Sequence, residues 1–104
     1  MSKKLSMLEK ETKAAWLLFR NLVTDYMAIN NLEKQEICKK ANVSRNSMSA
    51  YFNNLDKFMA GDRQTLASLL YILEAKNEDI VKIMMACEAV HIIAMVQEKV
   101  SGAA

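Results

Sequence analysis

The chain has 104 residues, 52% of them hydrophobic, with no proline, two glycines and a formal net charge of +2 at pH 7. A chain of this length forms one domain with a modest core, so we treat residues 1–104 as a single domain. The lack of proline and the scarcity of glycine argue against sheet-rich and disordered classes and predict an all-α fold, while so small a net charge does not by itself indicate nucleic-acid binding.

The distribution of charge is more informative than its total. Residues 1–57 carry ten Lys/Arg against six Asp/Glu, whereas residues 58–104 carry four against six. The asymmetry fits a DNA-facing first half and a partner-facing second half, although the same difference arises by chance in many solvated helical proteins.

Residues 1–10 are polar and lysine-bearing, which predicts a frayed, solvated tail without a secretory signal, and hence a cytoplasmic protein. Contact of Lys3, Lys4 and Lys10 with a phosphate backbone is the alternative for this tail. The cysteines, Cys38 and Cys87, show no ligand-like spacing to the single histidine. We therefore expect buried, reduced thiols, no metal and no cofactor.

From about Glu9 to Asn30, apolar residues recur at three- and four-residue steps and predict a long amphipathic first helix. The stripe consists of Ala15, Leu18, Leu22, Tyr26 and Ile29, joined by Trp16, Phe19 and Val23. Asn30 and Asn31 end the helix, because Asn competes for the backbone and accepts left-handed geometry.

Residues 32–53 predict two short helices joined by a tight turn. One apolar face runs through both and consists of Ile37, Cys38, Ala41, Val43, Met48 and Tyr51. Asn42 stands at the bend because Asn tolerates a positive φ, and Ser44 follows as the N-cap of the second helix.

The outward face of the second helix carries the chemistry of base readers, in Arg45, Asn46, Ser49, Ala50 and Asn53. Arginine pairs bidentately with guanine, asparagine pairs with adenine, and an alanine methyl packs on the thymine methyl. An ordinary solvated helix is the alternative. However, no acidic residue occurs from position 39 to position 55, whereas a face meant only for water usually mixes charges.

Residues 53–62 predict a loop around Gly61 that tucks Leu55, Phe58 and Met59 against the core. Asp62 is the expected cap of a Leu-rich helix from Arg63 to Ala75. Asn77 is the expected cap of a further short helix, with acidic residues in its first turn.

This order of elements resembles the lambda-repressor-like (Cro/Xre) family of DNA-binding domains. The resemblance spans roughly residues 11–85. It rests on Gln35-Glu-Ile-Cys-Lys-Lys-Ala-Asn-Val-Ser-Arg-Asn-Ser-Met-Ser49 and on Thr65-Leu-Ala-Ser-Leu-Leu-Tyr-Ile-Leu-Glu-Ala-Lys-Asn-Glu-Asp-Ile80. The chain has Asn42 where the family usually has Gly and Cys38 where it usually has Ala, and its 53–62 connector lacks the usual Glu-x-Gly and proline.

The resemblance implies a five-helix helix-turn-helix domain, here with an extra apolar C-terminal helix. It assigns the base-facing role to Arg45, Asn46, Ser49 and Asn53. The phosphate contacts that it implies are Gln35, Ser44 and Lys57.

From Ile80 to Val100 the chain is apolar on nearly every side, and we assign residues 80–101 to a C-terminal dimerisation helix. Lys82, Glu88 and His91 interrupt this run and argue against a membrane span. One small monomer does not cover such a helix, which predicts a homodimer. The expected interface consists of Ile80, Met84, Val90, Ile93, Met95 and Val96.

These patterns predict a dimeric DNA-binding transcriptional regulator, specifically a repressor of phage, plasmid or mobile-element type at a palindromic operator on double-stranded DNA. No phosphate loop, carboxylate pair or nucleophile motif points to an enzyme. Two alternatives stay open. One is a protein-interaction module, such as an antirepressor or adaptor that binds a protein partner through the C-terminal helix, and the other is an antitoxin that autoregulates its operon.

Overall fold

The computed structural model describes the backbone of residues 3–103 and the side chains of residues 9–100. Six helices follow one another: α1 Lys3–Asn30, α2 Lys34–Ala41, α3 Arg45–Asn53, α4 Leu55–Met59, α5 Arg63–Ile72 and α6 Asn77–Ala103. No strand occurs within the described backbone. The all-α class predicted from composition is confirmed.

Helix α1 is longer than predicted, because it begins at Lys3 and not near Glu9. The frayed tail expected over residues 1–10 is therefore wrong from Lys3 onward, while the side chains of Lys3 and Lys4 lie outside the described residues. The predicted apolar stripe is confirmed at its centre, where Phe19 and Val23 are fully buried. It does not reach the end of the helix, since Ile29 is 80% exposed.

The core lies along α1 and receives buried side chains from all six helices. Helix α1 contacts α3, α4 and α6, and α5 packs against α2. The rings of Phe19 and Phe58 stack with their centroids 5.0 Å apart, and both side chains are fully buried. A ring–ring contact of this kind adds to the free energy gained by burying the two side chains.

The segment predicted as a loop over residues 53–62 contains the short helix α4. It forms because the Asn54 side chain accepts a 3.1 Å hydrogen bond from the Lys57 backbone N–H and so caps the first turn. The predicted tucking of its apolar side chains is confirmed, with Phe58 fully buried and Leu55 and Met59 half-buried.

Helix α5 begins as predicted, since the Asp62 carboxylate accepts a 3.0 Å hydrogen bond from the Thr65 backbone N–H. It ends at Ile72 and not at Ala75. The reason is Glu74, which adopts a left-handed conformation with φ 56°, while the Ala75 N–H donates back to the Leu70 carbonyl over 3.1 Å. This geometry closes the last turn.

Helix α6 is continuous, although the sequence predicted a short capped helix followed by a separate apolar helix. The cap position is also one residue earlier than predicted. The Lys76 carbonyl, not a group of Asn77, accepts the N–H groups of Asp79 and Ile80, each over 3.0 Å. No proline or glycine interrupts the chain where the two helices were expected to separate, so the backbone continues without a break.

The two faces of α6 differ in burial. Ile83 and Ala86 are buried in the core, and Ile80 and Met84 of the expected dimer interface are half-buried against that same core. Val90 and Ile93 are half-buried, whereas Met95 and Val96 are 50% and 54% exposed. We call the exposed large apolar side chains of this helix the α6 apolar face; they are Val81, Met85, Ile92, Met95, Val96 and Val100.

Among the described residues, no helix is long and apolar enough to cross a membrane.

Replacing Phe58 by alanine tests the core. We expect Phe58→Ala to lower the free energy of unfolding by about 3–5 kcal/mol, because it leaves a cavity against Phe19. Tyr71→Ala is the matched control, since Tyr71 is 80% exposed and its loss should change the free energy by less than about 0.5 kcal/mol. The free energies are measured by urea-induced unfolding. An equal loss in the two variants would contradict the burial of Phe58 against Phe19.

Candidate functional site

Helices α2 and α3 are joined by the three-residue turn 42–44. Asn42 adopts a left-handed conformation with φ 56°, as predicted, and the Val43 N–H donates to the Cys38 carbonyl over 2.9 Å. The Ser44 hydroxyl accepts a 3.1 Å hydrogen bond from the Ser47 backbone N–H. The predicted bend and the predicted N-cap are both confirmed, so the start of α3 is fixed by local hydrogen bonds.

The inward face of α3 is attached to α1. Met48 and Phe52 are buried in the core. The Trp16 indole N–H donates a 2.9 Å hydrogen bond to the Tyr51 carbonyl near the end of α3. This bond satisfies a carbonyl in the last turn of α3, which has no partner within its own helix, and it fixes α3 relative to α1.

The far end of α3 is held by the turn before α5. The Tyr51 hydroxyl accepts a 3.3 Å hydrogen bond from the Asp62 backbone N–H. Gly61 allows this close approach, because a Cβ atom there would lie 3.1 Å from Tyr51 Cζ and 3.0 Å from the Phe58 carbonyl oxygen.

With its inward face held in this way, α3 presents its remaining side chains to solvent. Arg45, Asn46, Ser49 and Asn53 are exposed and Ala50 is half-buried. The Asn53 amide donates to the Ser49 hydroxyl over 3.2 Å. Four of the five predicted base-reading side chains are therefore freely accessible, on one helix that carries no carboxylate.

The structure brings together two predicted site residues from different helices. Arg45 Nη1 donates to Gln35 Oε1 over 3.0 Å, and Gln35 Nε2 donates to Glu33 Oε2 over 2.8 Å. Glu33 in turn forms a capping box with Glu36 at the start of α2. The hydrogen-bonded chain from Glu33 through Gln35 orients the Arg45 guanidinium, which sequence spacing alone did not predict.

The other two predicted phosphate contacts occupy different environments. Ser44 is exposed, and its hydroxyl is engaged in capping α3 and donates to the Ser47 hydroxyl over 2.9 Å. Lys57 is exposed on α4, outside the α2–α3 unit.

An open depression of about 600 Å³ lies at the α2–α3 turn, lined by Gln35, Cys38, Lys39, Asn42, Val43, Ser44 and Arg45. Burial raises the pKa of the Cys38 thiol, against a smaller lowering by its hydrogen bond with the backbone and by the Arg45 charge. Burial likewise raises the pKa of the Cys87 thiol on α6. Both cysteines stay neutral thiols at neutral pH, so the charge that lines the depression comes from Lys39 and Arg45.

Two further cations, which residue type and spacing did not predict as part of the site, lie beside α3. The Arg20 guanidinium carbon lies 5.0 Å from the centre of the Trp16 ring and 4.7 Å from that of Phe52. Lys34 Nζ lies 3.5 Å from the centre of the same Phe52 ring. The contact between Trp16 and Arg20 could have been predicted from the sequence, because residues four apart on a helix are neighbours on its surface.

Among the described residues, no group of three or more His, Cys, Asp or Glu side chains lies close enough to hold a metal ion. No protein-family model, curated protein or solved structure matches this chain.

The turn offers a direct test. We expect Asn42→Ala to lower the free energy of unfolding by about 1 kcal/mol, because alanine is strained at positive φ, and Asn42→Gly to leave it unchanged or raise it slightly. Asn21→Ala, at an exposed site on α1, is the control for loss of an asparagine side chain. Equal stability of the alanine and glycine variants at position 42 would contradict the left-handed turn.

Proposed function

We propose that the protein is a sequence-specific DNA-binding transcriptional regulator that reads the major groove with α3. The observation that carries the proposal is the division of α3 into two faces. One face is fixed to α1 by Phe52 and by the Trp16–Tyr51 hydrogen bond. The other exposes arginine, asparagine and serine side chains on a helix without carboxylates. A rigid helix with such a face suits direct readout of base edges.

In this proposal Arg45, Asn46, Ser49, Ala50 and Asn53 face the bases. Arg45 stands at the start of α3, where side chains of a reading helix reach base edges, and its hydrogen bond to Gln35 holds the guanidinium in place. Gln35, Ser44 and Lys57 take the phosphate-contacting role. The resemblance to the lambda-repressor-like family supports these assignments, and we propose that the helix-turn-helix type of that family applies to α2 and α3.

The proposal includes a homodimer formed through α6, which acts as a repressor of phage, plasmid or mobile-element type at a palindromic operator. The support is the α6 apolar face, whose members are about half or more exposed in the monomer. A symmetric dimer would place two α3 helices about 34 Å apart, one turn of DNA. Repression would follow from occupation of promoter DNA.

An antiparallel arrangement suits this dimer. If two α6 helices cross between Val90 and His91, Met85 of one copy lies opposite Val96 of the other, and Ala89 lies opposite Ile92. The first half of α6 borders an open groove between α1 and α6. Four alanines line this groove together with Glu11, Leu18, Lys82 and Met85. The second half projects bulky apolar side chains, so a two-fold axis brings the groove of each copy against the bulky half of the other.

A second candidate function is a protein-interaction module, such as an antirepressor or adaptor, in which the α6 apolar face binds another protein. The exposure of that face is the observation in its favour. An autoregulating antitoxin combines both candidates, with DNA on α3 and a toxin on α6.

Selection from a random double-stranded DNA library tests the principal proposal. We expect enrichment of a palindromic sequence, with binding that weakens steeply as salt rises. Failure of the folded protein to bind any duplex at low salt would favour the interaction module.

On the selected site, we expect Arg45→Ala to cost about 1–3 kcal/mol of binding free energy and to relax base preference at one position of each half-site. Arg63→Ala is the matched control. It removes an exposed arginine from α5, where Arg63 pairs with Glu88 of α6, and it should leave base preference unchanged. Unchanged affinity and specificity of Arg45→Ala would exclude Arg45 as a base reader.

The dimer is tested by sedimentation. We expect the wild-type chain to sediment as a dimer at micromolar concentration and Val96→Glu to sediment as a monomer, because the change buries two carboxylates in an apolar interface. Gln97→Glu, at the next and also exposed position, should remain dimeric. A monomeric wild-type chain at this concentration would contradict the dimer.

A further inference from the structure

Arg20 and Lys34, together with the rings of Trp16 and Phe52, form a compact cluster contributed by α1, α2 and α3. Arg20 lies within about 5 Å of both rings, and Lys34 lies over the Phe52 ring. Two cations thus share one aromatic ring. The negative face of a ring attracts a cation, but the attraction is small, about 0.5–1 kcal/mol where water has access, and it does not neutralise two charges.

No carboxylate neutralises this cluster within the part of the chain whose side chains are described. Neither Arg20 nor Lys34 forms an ion pair there, and Arg20 Nε is buried without a hydrogen-bond partner. The carboxylates nearest to Lys34 in sequence are used elsewhere, since Glu33 and Glu36 build the capping box of α2. The cluster therefore has positive charge that no ion pair neutralises among the residues whose side chains are described.

The cluster borders the outward face of α3. Phe52 precedes Asn53 and lies three residues after Ser49, so its ring is next to the proposed base-reading face on the helix surface. Lys34 is the first residue of α2. An anionic strand that passes along the α3 face toward α1 would meet both cations.

We propose that Arg20 and Lys34 bind phosphate groups of the DNA backbone at the edge of the α3 reading face. This inference rests on the proposed DNA-binding function and adds to it a contact made by α1. Arginine matches the geometry of a phosphate, and a guanidinium already held by two aromatic rings loses little side-chain freedom when the anion binds. Lys34 supplies a second positive charge at the same edge of α3.

Salt dependence of DNA binding separates this contact from a purely structural role. We expect Lys34→Gln to make the negative slope of log affinity against log salt shallower by about 0.9, and to weaken binding about five- to tenfold at 0.1 M salt. The loss should be the same for the selected duplex and for a duplex of unrelated sequence, because a phosphate carries no base information. Lys76→Gln, at an exposed lysine between α5 and α6, should leave the slope unchanged.

A role limited to packing on Phe52 predicts a different result, in which Lys34→Gln lowers the thermal midpoint but does not change the slope. That result, with the wild-type protein binding DNA, would overturn the inference and leave the proposed function intact. Absence of duplex binding by the wild-type protein would overturn both. Arg20→Gln and Arg20→Lys extend the test: we expect only the first to reduce the slope, provided that circular dichroism shows both folded.

The single tryptophan of the chain, Trp16, reports on this site directly. We expect the selected duplex to change Trp16 fluorescence in the wild-type protein and to change it less in Lys34→Gln. Inorganic phosphate at equal ionic strength should leave the emission unchanged up to millimolar concentration. A saturable response to inorganic phosphate without one to duplex DNA would assign the cluster to a small anion and overturn the assignment to the DNA backbone.

Discussion

The buried stripe of α1 is the constraint on which the rest of the structure depends. Phe19 and Val23 are fully buried, and the helices that contact α1 directly include α3, α4 and α6. Because those helices direct apolar side chains toward the same stripe, their polar faces are left for solvent. The Phe19–Phe58 stack fixes α4, and the Trp16 indole fixes the end of α3. The orientation of the outward face of α3 is thus a consequence of packing on α1.

Some polar side chains around α3 are held in place by hydrogen bonds, and others have no partner within the described part of the chain. Arg45 is hydrogen-bonded through Gln35 to the cap of α2, whereas Asn46 is exposed without such a support. Arg20 and Lys34 both lie beside the Phe52 ring. A surface evolved only for solubility would gain by pairing these charges with carboxylates. Neither Arg20 nor Lys34 has an ion-pair partner among the residues whose side chains are described, and unpaired positive charge favours a polyanionic ligand.

Helix α6 has apolar residues both on the side that is buried in the core and on a side that is exposed to solvent. Ile83 and Ala86 complete the monomer core, while Met85, Ile92 and Val96 remain about half or more exposed on another side of the helix. Exposing an apolar surface to water costs free energy. We therefore expect the α6 apolar face to be covered by another polypeptide chain. The α2–α3 unit and the α6 apolar face consist of different residues, so the proposed DNA contact and the proposed dimer contact would not compete for the same surface.

The sequence by itself determined the features that depend on local chemistry. These include the helical class, the left-handed turn at Asn42, the Ser44 and Asp62 caps, and the burial of Met48 and Phe58, because periodicity and capping act within a few residues. The tertiary structure alone decided the rest. It decided the continuity of α6, the exposure of Ile29, the Arg45–Gln35 hydrogen bond and the position of Arg20 and Lys34 at the same Phe52 ring. These features depend on how whole helices pack, and helix periodicity carries no information on which face a distant helix will cover.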